Sequence, residues 1–448
     1  MKIWQKDAQT PLNAAVEAFT VGQDRQLDEQ MAAFDVLGSL AHTRMLARIG
    51  LLTPSELEQI QRALRVIFEE IQAGHFQIDP QMEDVHSQIE WMLQERIGEA
   101  GKKIHSGRSR NDQVLVDLKL FFRDQIEQLV GQVAELFDQL LALSAKHKDD
   151  WMPGYTHLQV AMPSSFGLWF GAYAESLTDD MELLLAAWRI TNKNPLGSAA
   201  GYGSSFPLQR RYTTELLGFD ALNYNVIYAQ MGRGKTERIL AQAMGSIAAT
   251  LAKMAMDLTL YMSQNFAFVR FPDALTTGSS IMPHKKNPDV LEIIRARCNK
   301  IQALPSSILL ITNNLPSGYH RDLQLLKEDL FPSFTSLRDC LRMMQQMLAH
   351  IEIRTDILSD PKYAYLFSVE AVNARVLQGV SFREAYRQVG QQIADGTYAP
   401  DPSAVRYTHE GSIGNLCHDE IRSQFEQTRR QFGFAAVQTA LANLLRDE

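Results

Sequence analysis

Between residues 113 and 146 the apolar side chains Ile126, Leu129, Val130, Val133, Leu136, Phe137 and Leu140 follow one another at spacings of three and four. That recurrence is the stripe of an amphipathic helix. No proline stands between Pro80 and Pro153 to interrupt it. The pattern therefore predicts one helix about 50 Å long, at ~1.5 Å of rise per residue. A second proline-free interval, between Pro207 and Pro272, contains residues 236–263, dense in Ala, Leu and Met, and predicts another long helix. Residues 165–190 and 289–310 predict two more. These helices carry more apolar surface than one bundle needs, and the surplus predicts burial against other subunits. Residues 1–105 and 353–448 hold shorter helical stretches and more breakers. The expected class is all-α, with an N-terminal helical domain (1–105), a central long-helix bundle that is the oligomerisation core (106–352) and a small C-terminal helical domain (353–448).

Composition sharpens this picture. The 448 residues include 26 glycines and 16 prolines, about 9% together against ~12% in ordinary usage. A chain so poor in breakers favours long helices over many short strands. Hydrophobic residues make up 45% and charged residues 21%, which suits a globular protein and excludes a disordered one. The net charge of −8 gives no support for a nucleic-acid partner. Cys298, Cys340 and Cys417 are too few and too scattered for a disulfide framework or a zinc cluster. Residues 1–7 lack the apolar core of a signal peptide, and no uncharged apolar run long enough to span a bilayer follows. No membrane partner is expected, and the cytoplasm is the expected compartment.

Residues 229–236, AQMGRGKT, come within one residue of a phosphate-binding loop and follow a β-branched stretch. The motif needs Gly where Ala229 stands, and it needs alternating strands and helices that this chain does not show. A flexible entry into the helix near Thr236 is the simpler reading.

Three other loops carry more chemistry. In residues 276–289, TTGSSIMPHKKNPD, Asn287 is a candidate cap, Pro288 suits the first helical position and Asp289 complements the helix dipole. Gly278, Ser279, Ser280, Lys285 and Lys286 stand just before that positive helix end, a suitable place for a carboxylate or phosphate. Residues 101–113 offer Arg108, Ser109, Arg110 and Asn111 as donors to anionic or polar groups. Residues 153–159, PGYTHLQ, bring Thr156 and His157. Alone, each loop has a bland alternative: a solvated polar turn, or a structural histidine. Their order along the chain is more informative. The second and third loops lie at opposite ends of one long helix, so a site that uses both must be built from different subunits.

Together the three loops resemble the fumarase/aspartase superfamily of lyases, whose shared segment GSSxMPxKxNP stands here from Gly278 to Pro288. Within it the chain is similar to the argininosuccinate lyases. The matches are HSGRSRNDQV from His105 to Val114, PGYTHLQ from Pro153 to Gln159 and KKNPD from Lys285 to Asp289. EDVH from Glu83, PLGS from Pro195, Gly318-Tyr319, DLQ from Asp322 and GSIGN from Gly411 add to them. The resemblance covers all three expected domains. It implies a homotetramer with a twenty-helix core and four composite active sites. The implied reaction splits argininosuccinate into arginine and fumarate with neither metal nor organic cofactor.

By the same resemblance Ser279 is the base that removes the proton beside the substrate carboxylate. Its alkoxide would need surrounding donors, for which the helix start at residues 287–289 is a candidate. Lys285 would stabilise the developing carbanion. His157 would stand near the leaving nitrogen, acting as an acid or through water, with Glu292 orienting it. Ser109, Arg110, Asn111, Thr156, Asn287, Tyr319, Gln324 and Lys327 resemble substrate binders, and His86 a second histidine lining the site. The chain departs from the family pattern at His284, where Gln is commoner, and at residues 368–376. It departs also at residues 232–238, which leave Arg233 and Arg238 both open as a substrate-contacting arginine. The alternatives are another fumarate-releasing lyase acting on adenylosuccinate, or a non-catalytic crystallin-like member.

Overall fold

The computed structural model describes residues 14–446; residues 1–7, read above for a signal peptide, lie outside them. The class is all-α. Ahead of the longest helix stand α1 (Ala32–Arg48), α2 (Pro54–Gln72) and α3 (Val85–Ile97). Thr53 and Glu56 form a reciprocal capping box at the start of α2, with Pro54 at its first position. These helices share a core of their own around Leu40, Leu64, Ile67 and Leu93.

Helix α4 (Arg110–Lys146) has 37 residues and so spans about 55 Å. It begins three residues earlier than its apolar stripe predicts. The cause is a second capping box, in which Ser109 Oγ accepts from the Asn111 N–H at 3.3 Å and Asp112 Oδ1 accepts from the Ser109 N–H at 2.8 Å. After α4 the chain turns through a hairpin, β1 (Trp151–Thr156) and β2 (Gln159–Ser165), into α5 (Phe166–Thr191). Helix α6 (Lys235–Met262) follows. A small hairpin, β3 (Thr277–Gly278) and β4 (Lys286–Asn287), leads into α7 (Asp289–Thr312).

The expected helices at 165–190, 236–263 and 289–310 all form, within two residues at each end. The phosphate-loop look-alike does not form a strand: Val226–Met231 is helical, and Gly234 adopts a positive φ of 75° at the entry to α6. Helix α6 is long and apolar enough to cross a membrane by length and composition, but 61% of its most apolar window is buried inside the fold. It is a core helix, packed against α5 and α7.

A fifth long helix, α8 (Leu326–Ala349), was not among those expected; Pro332 lies inside it, as Pro305 lies inside α7. An interior proline costs about 3 kcal/mol or more. Burial of Leu330, Phe331, Phe334, Leu337, Leu341, Met344 and Met347 outweighs that cost. Phe331 and Phe334 pack against Phe121 of α4, with centroids at 4.3 and 5.8 Å. Beyond it, α9 (Ser368–Leu377) and α10 (Phe382–Ala394) form a small cluster around Val372, Ala385 and Val389. The last helices, α11 (His418–Arg429) and α12 (Phe434–Leu445), return to the long helices. There Phe425 stacks on Phe137 at 3.9 Å and 10° between planes. Phe137 is fully buried, so Phe137→Ala should cost about 3–5 kcal/mol, measured as a lowered denaturation midpoint. A change below ~1 kcal/mol would show that α11 does not seat there in solution.

Candidate active site

The start of α4 forms one wall of a cleft of about 240 Å³. Its lining includes His86, Arg110, Asn111, Tyr319, Gln324 and Lys327, together with Asp24, Asp28, Glu83, Asp84, Arg233 and Arg321. Of the side chains singled out from the sequence, the fold thus gathers Arg110 and Asn111 from the α4 start, His86 from α3, and Tyr319, Gln324 and Lys327 from the approach to α8. Helix starts set several of these positions. Asp84 caps α3, accepting from the Ser87 N–H at 2.7 Å, and so holds His86 in the first turn. Asp112, buried behind Asn111, accepts from the N–H groups of Gly197 and Ala199, both at 2.9 Å. That ties the PLGS segment to the α4 start. Burial pushes the Asp112 carboxyl up to about 6 despite these donors.

Acids and bases alternate around the cleft. Lys327 Nζ sits 2.5 Å from both Asp24 Oδ1 and Asp28 Oδ1. Burial lowers the Lys327 pKa, but the charges of Asp28 and Asp24 outweigh it and hold the ammonium above its ordinary range. Burial also raises the Asp24 carboxyl to about 6. Arg110 lies 3.6 Å from Asp84 and 3.4 Å from Glu90. The sequence did not single out Asp24, Asp28 or Arg321. They reach the cleft only through tertiary packing, and no local motif announces them. Between the two open arginines, Arg233 lines this cleft, buried and bonded to Glu237 at 3.0 Å and to the Leu323 carbonyl at 2.7 Å. Arg238 lines an adjoining pocket.

One expectation at the α4 start needs correction. Arg108 points inward: it is buried, with a guanidinium N–H on Ser39 Oγ at 3.1 Å, and it does not line the cleft. Ser109 Oγ accepts from the Asn111 N–H as the helix cap, which leaves its own O–H to donate.

The remaining residues lie at the other end of the bundle. Helix α6 leaves the cleft end beside Arg233 and finishes near Phe266 and Phe268, whose rings lie 5.4 and 6.5 Å from Tyr155 of β1. Helix α7 runs back, bringing Thr312 beside Gly234. The β1–β2 tip, with Thr156 and His157 exposed and His157 and Leu158 at positive φ of 55° and 57°, therefore shares its end with the β3–β4 loop. That end is separated from Asn111 by the length of α4. Within one chain the two groups do not meet.

In the β3–β4 loop the Ser279 Oγ accepts from the N–H groups of Met282 at 3.1 Å and Ile281 at 3.4 Å. These backbone donors, and not the helix start, face the hydroxyl. Asn287 does not cap α7. Its amide reaches Thr277 Oγ1 at 3.4 Å and the Gly278 carbonyl at 3.3 Å, bridging the hairpin, and Pro288 holds the cap position. The Asp289 carboxylate takes the Thr277 hydroxyl. Lys285 is exposed on the loop, and Glu292 is exposed one turn into α7.

Residues 8–303 match the family model described as Lyase. The chain is 58% identical to the argininosuccinate lyase of Parabacteroides distasonis over 99% of both chains. It is 38% identical to that of Stenotrophomonas maltophilia over 95% of this chain and 98% of the relative. Among solved structures, an EDDS lyase in complex with formate superposes with a TM-score of 0.79 at 23% identity, covering 97% of this chain and 94% of the other. A fumarate lyase:delta crystallin from Brucella melitensis bound to cobalt gives 0.71 at 17% identity over 91% of each. These two likenesses concern the fold.

Proposed function

The chain belongs to the argininosuccinate lyase family, and from that membership we propose how this lyase divides β-elimination of argininosuccinate, to L-arginine and fumarate in arginine biosynthesis, among its residues. Ser279 takes the proton from the carbon beside a succinyl carboxylate, and Lys285 stabilises the carboxylate as it gains charge. The electron pair closes the fumarate double bond while the carbon–nitrogen bond breaks. The departing guanidino nitrogen receives a proton from the side of His157, which Glu292 orients. The step calls for neither metal nor organic cofactor. Ser109, Arg110, Asn111, Thr156, Asn287, Tyr319, Gln324, Lys327 and His86 hold the substrate.

The observation that carries this reading is the cleft at the α4 start. It has room for a small molecule and mixes carboxylates with Arg110, Arg233, Arg321 and Lys327. Such alternation suits a substrate with carboxylates at both ends and a guanidinium between them. The two N–H groups on Ser279 Oγ supply the stabilisation a serine alkoxide needs.

The division into domains 1–105, 106–352 and 353–448, the cytoplasmic location and the homotetramer belong to the same proposal. The tetramer is supported by the two ends of α4: a complete site needs the cleft end of one chain beside the hairpin ends of others. Exposed Leu183, Met256, Ile293, Leu309 and Leu310 on α5, α6 and α7 offer apolar surface for that contact. Purified protein should release fumarate from argininosuccinate, followed by ultraviolet absorbance, and none from adenylosuccinate. Release from adenylosuccinate alone would reassign the substrate. No release from either would leave the crystallin-like reading.

A further inference from the structure

Behind His86 the cleft wall is made of carboxylates. His86 Nδ1 lies 3.5 Å from Asp35 Oδ1 on α1 and 3.5 Å from Asp117 Oδ2 on α4. All three side chains are buried. Asp35 Oδ1 accepts from Gln113 Nε2 at 2.8 Å. His86 Nδ1, the other Asp35 oxygen and both Asp117 oxygens make no hydrogen bond among the described residues, so the imidazole and the two acids face one another at ion-pair distance only. Two carboxylates buried this close are costly unless positive charge or protons compensate them. The other charges facing the group are Asp84 and Arg110 toward His86, and Arg108, Asp28 and Asp112 toward Asp117.

We propose that Asp35 and Asp117 hold His86 as an imidazolium, with a second proton residing on Asp117, so that His86 presents a fixed cationic Nε2–H donor to the cleft. Asp35 and Asp117 are then positioning residues, acting through His86. The geometry supports this directly, because Nδ1 is turned to the two acids and leaves Nε2 as the ring nitrogen for the cleft that His86 lines. The charge balance agrees. Burial favours neutral imidazole, but Asp35 outweighs it and raises the His86 pKa. Burial raises the Asp35 carboxyl too, and His86 brings it below its ordinary value. Asp117 stands well above its ordinary value through burial and then the charge of Asp35. The three ligand atoms lie within 4.8 Å of one another, a spacing a cation could also use. With Arg108 already beside both carboxylates, a proton is the favoured occupant.

The inference rests on the lyase reading, because a fixed cation here suits a substrate rich in carboxylates. The test is the pH dependence of kcat/KM for fumarate release. In Asp117→Asn, which imitates the protonated acid, the alkaline limb should stay in place. In Asp35→Asn, Asp117 can ionise in its stead, so the limb should move little. In the double variant no carboxylate faces Nδ1, the imidazolium gives up its proton more readily, and the limb should fall by about one pH unit or more, a tenfold change in proton affinity. Such non-additivity is the mark of a shared proton. A double variant that keeps the parent limb overturns the proposal. So does parent activity that is lost to EDTA and restored by zinc or manganese, which would put a cation there instead. If the double variant loses its helical circular dichroism, His86→Gln decides: it should lack the limb, and retention of the limb overturns the proposal. A parent enzyme that releases no fumarate would count against the lyase reading alone.

Discussion

Ser279→Ala should abolish turnover, lowering kcat by about 10³-fold or more, while helical content and assembly stay as in the parent. The expectation follows from what the hydroxyl receives. A serine is a poor base in water, and only preorganised donors make its alkoxide accessible. Here the Met282 and Ile281 N–H groups already point at Oγ from 3.1 and 3.4 Å. They are backbone groups, so the alanine variant keeps the donors and the loop, and loses only the atom that takes the proton. Ser280→Ala, one residue on and exposed, is the control for loop disturbance and should stay within about tenfold of the parent. Residual activity of Ser279→Ala at the level of that control would refute Ser279 as the base.

What could be read from the sequence follows a physical line. Helix α4 was legible because its apolar stripe repeats over many turns without proline. Its first turn was not, because Ser109 and Asp112 start it through a polar cap that no apolar pattern marks. Helix α8 was not read from the sequence, and the local cost of its Pro332 is outweighed by packing on Phe121 that only the folded chain supplies. The same division holds at the site. Arg110, Asn111 and His86 sit in recognisable motifs and also meet in the cleft. Asp24, Asp28 and Arg321 meet them there from distant segments without any motif. Arg108 stood in the most specific motif of all, yet its side chain turns inward to Ser39. A motif identifies the neighbourhood; the folded backbone decides which of its side chains face the cleft.

Mixing two inactive variants should restore activity. An Asn111→Leu chain lacks a group at the cleft end of α4, and a His157→Leu chain lacks one at the hairpin end, so each alone should be nearly silent. If a working site takes these ends from different subunits, hybrids formed after unfolding and refolding together contain sites in which both residues are intact. With equal amounts and random assembly, each end is intact half the time, so recovery should approach about a quarter of parent activity. A site complete within one chain would recover nothing, since every chain carries one lesion. The span of α4, 37 residues in one unbroken helix, makes the first outcome the expected one. A chain cannot fold its hairpin tip back across about 55 Å of its own helix, whereas a neighbour running antiparallel brings the tip there at no cost in strain. Refolded mixtures that exchange subunits, shown by mass-tagged chains, yet stay silent would overturn the shared site and with it the functional reason for the proposed tetramer.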